Sequence, residues 1–287
     1  MRVKLDWLSF SFFQEENHYD NDKESIKAAF AHLCDNLPDG ASDFFRNQKW
    51  EPGQGRKPYS VSLKNSDNGV SIFANAKLPH GLVELSGRGC DLLSTFDDAE
   101  SLLASIADRV TRIDVACDIA CDTDPIEFAE QRIPGRFKAS SRVVSESGTT
   151  VYVGSKTSNR YARVYRYADP HPRSHLLRVE HVFKGEDAKT MLAYWMENDS
   201  DAVSAQCSLM FGWQHGAWVT IPFDDEPLKA HRNERGEAKT IYWLYDTVAP
   251  VLARLHKEGK LSIAQFLNEA VMPLLPPSDD DGTGEPV

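Results

Sequence analysis

The chain has 287 residues, 41% of them hydrophobic and 26% charged, which is enough to bury the core of one large or two modest domains. It contains neither the run of roughly 18 apolar residues that spans a bilayer nor a secretory signal, so we expect a soluble cytoplasmic protein with no membrane partner. Acidic residues outnumber basic ones by 43 to 32, and the net charge of -11 argues against non-specific attraction to nucleic acid.

The first third of the chain predicts a strand, a helix and then neighbouring strands. Residues 3–13 are rich in Phe, Trp and Leu, and residues 22–37 carry apolar side chains at helical spacing. Residues 53–58 have the Gly and Pro content of a loop. Strands are predicted over residues 59–63 and 70–74, joined through the hairpin dipeptide Asn68-Gly69, and over residues 82–86.

The middle of the chain predicts single helices among antiparallel strands. A helix capped by Asp97 or Asp98 leads into a strictly alternating strand over residues 112–119, and a short helix covers residues 125–133. Strands follow over residues 149–153, 161–167 and 176–183, and then a helix over 187–198. This order favours an α+β fold, an antiparallel β-sheet with helices packed on one face, over a doubly wound parallel sheet.

The C-terminal part predicts helices and a tail. Residues 240–256 have helical periodicity with a bend expected at Pro250, and Ser262 with Gln265 forms a capping box for a last helix. Residues 273–287 are an acidic, Pro-containing segment that we expect to be disordered. The predicted organisation is a catalytic domain over residues 1–200, a helical extension over 201–272 that could belong to the same domain, and the tail.

Carboxylates recur on one face of the predicted strands. Alternation places Arg112, Asp114 and Asp118 on one face of one strand, and Arg178 and Glu180 on one face of another. Carboxylates that share a face repel each other unless a positive charge lies between them. Salt bridges to arginine are the simpler source of that charge for any single acid, whereas several acids together favour Mg²⁺ or Mn²⁺. The predicted metal ligands are Asp114, Asp118, Glu180 and Glu84.

A basic segment and its tyrosines suggest chemistry on phosphate. Residues 136–189 contain eleven Lys and Arg against five Asp and Glu, and residues 154–160 form a donor-rich turn, although a plain hairpin is the alternative. In the next strand Tyr165 shares a face with Arg163 and Tyr167. A tyrosine beside arginines and a cation can attack a phosphodiester, because positive charge favours phenolate and stabilises the charge that develops on phosphate.

At these residues the chain resembles the Rep trans family of plasmid and phage rolling-circle replication initiation factors, which includes relaxases of integrative conjugative elements. The resemblance covers roughly residues 4–189, and the order of the motifs matches. The matching motifs are Asp6-Trp7-Leu8-Ser9-Phe10, Val83-Glu84-Leu85-Ser86-Gly87 with Gly89-Cys90, Thr111-Arg112-Ile113-Asp114-Val115-Ala116-Cys117-Asp118, Tyr152-Val153-Gly154-Ser155-Lys156-Thr157-Ser158, Arg163-Val164-Tyr165 and Arg178-Val179-Glu180.

The resemblance implies an origin-binding endonuclease that nicks one DNA strand, stays attached to the 5′ phosphate through tyrosine, and later religates. The Arg-x-Tyr-x-Lys element of the family corresponds to Arg163 and Tyr165. Tyr167 stands at the Lys position, so it is a rival nucleophile. The resemblance also implies single-stranded or melted origin DNA as the partner, and it leaves a host helicase and a homodimer open. The predicted DNA-binding residues are Ser155, Lys156, Ser158, Arg160, Arg166, Arg178 and Arg112.

Two other functions stay open at this stage. The first is a non-catalytic origin-binding protein of the same fold, which the loss of the Lys position favours. The second is a metal-dependent nuclease that uses water as the nucleophile and cuts DNA without forming a covalent adduct.

Overall fold

The computed structural model describes residues 1–13, 22–75, 77–132, 140–145, 148–166, 176–213, 227–228 and 249–266. These residues belong to two compact units, Met1–His231 and Arg232–Val287. Among them, no helix is long and apolar enough to cross a membrane. The predicted domain boundary after residue 200 stays a prediction, and the predicted tail over residues 273–287 lies outside the described residues.

One ten-stranded sheet, antiparallel throughout, organises the first unit. The order across it is β2-β3-β4-β5-β1-β6-β10-β9-β8-β7, so β1 and β6 lie side by side in the middle. The strands are β1 (Arg2–Phe13), β2 (Glu51–Gln54), β3 (Val61–Asn65), β4 (Val70–Ala74), β5 (His80–Ser86), β6 (Val110–Ala120), β7 (Ser140–Ser145), β8 (Gly148–Val153), β9 (Arg160–Arg166) and β10 (Leu176–Lys184).

The first five helices lie between strands along the chain, and the others follow β10. Those of the first unit are α1 (Asp22–Asp35), α2 (Asp39–Arg46), α3 (Gly87–Ser94), α4 (Ala99–Ile106), α5 (Pro125–Arg132), α6 (Glu186–Glu197) and α7 (Ser200–Phe211). A 3₁₀ turn, Ala107–Arg109, joins α4 to β6. In the second unit the described helices are α8 (Ala249–Lys257) and α9 (Ile263–Phe266).

The two faces of the sheet differ in character. Leu8, Val115 and Val164 lie on one face and are buried in a single core with Phe45 of α2 and Phe211 of α7. The other face, which we call the polar face, carries the charged residues of β6 and β10 and Arg163 of β9, because side chains alternate along each strand. This arrangement confirms the predicted α+β fold with helices packed on one face.

Several elements differ from the sequence predictions. Gly53 and Gln54 pair with β3 as part of β2, so the predicted loop over residues 53–58 is shorter. The sequence patterns also did not predict α2, α3, β7 or α7. Of the helix predicted over residues 240–256, only the part from Ala249 onward is described. The Ser262 cap is confirmed, since its hydroxyl accepts the N–H of Gln265 at 3.3 Å.

Candidate active site

Three adjacent strands bring the predicted site residues into rows on the polar face. β10 lies between β6 and β9 and pairs antiparallel with both. Read from β6 through β10 to β9, the rows are Asp118-Arg178-Tyr165 and Ala116-Glu180-Arg163. Neighbouring strands are about 5 Å apart, so side chains of one row, and of adjacent rows, are within contact distance. The strand register therefore assembles residues that are far apart in the sequence.

Tyr165 is held by a buried carboxylate. Its hydroxyl donates to Glu180 Oε2 at 2.8 Å, and the guanidinium of Arg163 binds Oε1 of the same carboxylate. Burial raises the pKa of Tyr165 above its ordinary value, while Arg178 and Arg163 act in the opposite direction. The phenol is therefore protonated near neutral pH, and Glu180 is the group placed to receive its proton.

Asp114 is buried and paired with two arginines. Arg112 donates to it through Nε at 2.7 Å and through Nη2 at 2.6 Å, and Arg163 lies 3.7 Å away. Arg163 therefore links Asp114 to Glu180. Burial raises the pKa of Asp114, although the neighbouring arginines act to lower it.

Arg178 joins β10 to two acids on other strands. It donates to both oxygens of Asp118, at 2.6 and 2.8 Å, and to Asp6 at 2.9 Å. Only 2% of the Arg178 side chain is exposed. Burial acts to lower the pKa of Arg178, but the two carboxylates raise it by more, so the guanidinium stays charged. Asp6 lies where the β1–β6 register shifts, and it was not a predicted site residue.

Glu84 stands apart from this group. It lies on β5, which β1 separates from β6, and it pairs with Arg56. Arg56 was not a predicted site residue, because it lies in a connection that shows no periodic pattern.

A divalent cation needs several carboxylate oxygens turned toward one point. Within the described part of the chain, no three His, Cys, Asp or Glu side chains form such a group. Arginine binds both oxygens of Asp114 and of Asp118, and it also contacts Glu180 and Glu84. As arranged, the predicted ligands do not fit Mg²⁺ or Mn²⁺. Their contacts agree with the alternative interpretation, in which arginines compensate the charges of the acids. The cation requirement stays a prediction.

The predicted DNA-binding residues fall into two sets. Ser155, Lys156 and Ser158 are exposed in the turn between β8 and β9. The predicted arginines have partners within the protein in addition to those described above: Arg160 binds Asp187 at 2.9 and 3.1 Å, and Arg166 binds main-chain carbonyls. Tyr167 lies outside the described residues.

Cations stack on aromatic rings along the polar face. Arg112 lies 4.9 Å from the ring centre of Trp7, Lys184 lies 5.0 Å from that of Tyr161, and Lys156 lies 3.5 Å from that of Tyr152. Such pairs offer both charge and flat apolar surface, the two features that single-stranded nucleic acid binds. Trp7, Tyr152 and Lys184 were not among the predicted site residues. The pairs of Trp7 and of Lys184 form only when the strands are in register.

A cavity of about 360 Å³ lies next to Tyr165, where β6 and β9 end and β8 begins. Thr150, directly across the strand pair from Tyr165, forms part of its wall. The remaining lining residues are Asp122, Asp124, Pro125, Gly148, Thr149 and Arg166.

Comparison with known proteins supports the fold. No family profile matches the chain, and no curated protein matches its sequence. Among solved structures, it is similar to the rolling circle replication initiator protein from Geobacillus stearothermophilus, with a TM-score of 0.51 and 17% identity. The similarity covers 80% of this chain and 92% of that one. The protein therefore has a replication-initiator-like fold, while an identity of 17% leaves its activity to be argued from its own residues.

Proposed function

We propose that this protein binds a DNA origin, nicks one strand through attack by Tyr165 on a backbone phosphate, and later rejoins the ends. The observation that carries this proposal is the contact of Tyr165 with Glu180, flanked by Arg163 and Arg178, on the polar face of an initiator-like sheet. That face offers the nucleophile, a proton acceptor and positive charge together.

The reaction follows from these contacts. The phenol gives its proton to Glu180 as the Tyr165 oxygen bonds to phosphorus. The bond from phosphorus to the 3′ oxygen breaks, and that oxygen takes up a proton, which leaves a free 3′ hydroxyl and a 5′ phosphotyrosine. Arg163, once it contacts the phosphate, stabilises the charge on the non-bridging oxygens. Attack by the 3′ hydroxyl on the phosphotyrosine reverses the step and rejoins the strand.

Replacement of the phenol tests the proposal. A labelled pool of single-stranded oligonucleotides with randomised positions is incubated with the protein and Mn²⁺ and run on a denaturing gel. We expect a slow covalent band for the unchanged protein and none for Tyr165→Phe, with binding on a native gel retained. Tyr161→Phe is the matched control, since Tyr161 lies on the same face of β9, and it should keep the band.

The other outcomes separate the remaining functions. An adduct that persists in Tyr165→Phe would assign the role of nucleophile to another residue, and Tyr167 is the first to test. Cuts without an adduct indicate water as the nucleophile. The resemblance predicts that EDTA stops cleavage, and cleavage at full rate in excess EDTA would remove the predicted cation requirement.

A non-catalytic origin-binding protein is the second candidate. The observation that favours it is the pairing of all four predicted metal ligands with arginine. A shift on the native gel with neither adduct nor cleavage, in Mg²⁺ or Mn²⁺, would support this candidate.

A further inference from the structure

Tyr152 lies beside the proposed nucleophile, and the nicking step described above does not use it. In the pairing of β8 with β9, Tyr152 is directly opposite Arg163, and Tyr165 is directly opposite Thr150. Tyr152 and Tyr165 are therefore diagonal neighbours on the polar face, with α-carbons about 7–8 Å apart. A stacked DNA strand advances about 3.4 Å per nucleotide. A base one or two nucleotides from a phosphate at Tyr165 is thus within reach of the Tyr152 ring.

A second tyrosine supports this ring. The ring centre of Tyr161 lies 6.4 Å from that of Tyr152, with 36° between the ring planes. Tyr161 is only 8% exposed, and the ammonium of Lys184 lies 5.0 Å from its ring centre. Tyr152, in contrast, is half-buried. Tyr161 is therefore a support, and Tyr152 is the ring that a ligand can reach.

Polar contacts fix the turn that follows Tyr152. The main-chain carbonyl of Lys156 accepts a hydrogen bond from the ammonium of Lys184 at 2.6 Å. At the end of the turn, Arg160 binds both carboxylate oxygens of the buried Asp187, at 2.9 and 3.1 Å. The turn is therefore ordered in the free protein, which lowers the entropy cost of binding.

The side chain of Lys156 covers the Tyr152 ring. It is exposed, and its ammonium lies 3.5 Å from the ring centre. An exposed contact between a cation and a ring is weaker than the stacking of a base on an aromatic side chain. A base can therefore displace the ammonium. The flexible four-carbon stem of Lys156 then lets the ammonium reach a phosphate of the same strand.

We propose that Tyr152 is a stacking site for one base of a single DNA strand on the polar face, and that Lys156 exchanges the ring for a phosphate of that strand. The inference rests on the proposed function for the path of the strand past Tyr165. Stacking accepts every base, because each base has a flat aromatic face. The site therefore positions the strand beside the nucleophile without selecting a sequence.

Two strands separate stacking from charge. Fluorescence anisotropy measures the binding of a labelled oligothymidylate and of an abasic strand of the same length, which carries the same phosphates but no bases. We expect Tyr152→Leu to bind the oligothymidylate about tenfold more weakly, within the range for the stacking of one base, and to bind the abasic strand as the unchanged protein does. Tyr152→Phe keeps the ring and should retain the binding of both strands.

Two further variants complete the test. Phe13→Leu is the matched control, because it removes a ring that is 69% exposed at the far end of β1, and it should leave the binding of both strands unchanged. Lys156→Ala should weaken the binding of both strands alike, because both carry the phosphates. Unchanged binding of both strands by Lys156→Ala would overturn the exchange.

These measurements need no cleavage, so this proposal and the proposed function fail separately. A tenfold loss confined to the oligothymidylate supports the stacking site even where no adduct forms, and nicking then fails alone. An adduct together with unchanged oligothymidylate binding by Tyr152→Leu overturns the stacking site and leaves nicking in place. Equal losses for the two strands in Tyr152→Leu would also overturn the stacking site, because only one strand has bases to stack.

Discussion

Buried charge is the main feature of the polar face at the scale of single residues. Moving one ion out of water costs several kcal/mol, and attraction offsets this cost only where the geometry is good and further hydrogen bonds form. Arg178 meets this condition, because Asp118 takes two of its donors and Asp6 takes a third. Each of the three side chains is therefore needed to keep the other charges compensated.

Removal of one partner should be costly. We expect Asp118→Asn to lower the free energy of unfolding by about 3 kcal/mol, because Arg178 stays buried with a single carboxylate. Asp91→Asn, which breaks the contact of Lys4 with an aspartate that is 52% exposed, should cost less than about 1 kcal/mol. Urea unfolding in EDTA measures both variants, and equal losses would contradict the account.

His181 predicts a dependence of stability on pH. It is fully buried, accepts the indole N–H of Trp213 at 2.9 Å, and burial lowers its pKa to about 3. An unfolded histidine titrates near pH 6.5, so between pH 6.5 and 3 the unfolded chain binds more protons than the folded chain does. The free energy of unfolding therefore decreases as the pH is lowered through this range. The loss from this residue should reach about 2 kcal/mol at pH 5. Urea unfolding at pH 7 and 5 should show a smaller loss for His181→Gln, and an equal loss would contradict this assignment.

The sequence predicted which charged residues share a strand face better than it predicted the side chains that they contact. Alternation alone places Asp114 and Asp118 on one face, and it raises the conflict between like charges. It does not show what resolves that conflict, because the contact of Arg163 with Glu180 depends on the register of β9 against β10. Register is set by the packing of whole strands, so the sequence left arginine pairing and a bound cation as open alternatives.

At the scale of elements, local sequence patterns also failed to predict some of the helices. α3 begins with Gly-Arg-Gly, a pattern that normally predicts a turn, yet Gly89 is required because a β-carbon there would lie 2.9 Å from the carbonyl oxygen of Gly69. α7 was not predicted because Ser204, Gln206 and Ser208 are buried, so the helix lacks an apolar stripe. The long, strongly alternating strands, in contrast, were predicted to within one or a few residues.

The start of α7 depends on one side chain. Asp199 Oδ1 accepts the N–H of Ala202 at 2.9 Å and so caps the helix. We expect Asp199→Ala to lower the free energy of unfolding by about 1 kcal/mol, and Asp199→Asn to restore most of it, since Asn caps equally well. Thermal or urea unfolding measures both, and equal losses for Ala and Asn would show that the charge, and not the cap, matters.

At the scale of the whole molecule, the chain is acidic, but its predicted nucleic-acid contacts are concentrated in one region. The net charge is -11, whereas Lys156, Lys184 and Arg112 stack on aromatic rings of the polar face. DNA binding should therefore depend on a few lysines and arginines and not on the overall charge.

Salt dependence tests this localisation. Each phosphate contact to single-stranded DNA contributes about 0.7 to the slope of log affinity against log salt. We expect Lys156→Ala to reduce the slope by about that amount. Lys27→Ala, on the exposed surface of α1, is the matched control and should leave the slope unchanged. Fluorescence anisotropy with a labelled single strand measures both, and equal slopes for the two variants would contradict the localisation.

The ion pair between Asp6 and Arg178 joins residues 172 positions apart. During synthesis β1 leaves the ribosome first, but it acquires its neighbours β5 and β6 only much later, and β6 must then wait for β10. Long-range pairing of this kind makes folding slow. It also means that a nascent or half-folded chain lacks the contact of Tyr165 with Glu180, so the proposed nicking site forms only when the centre of the sheet is complete.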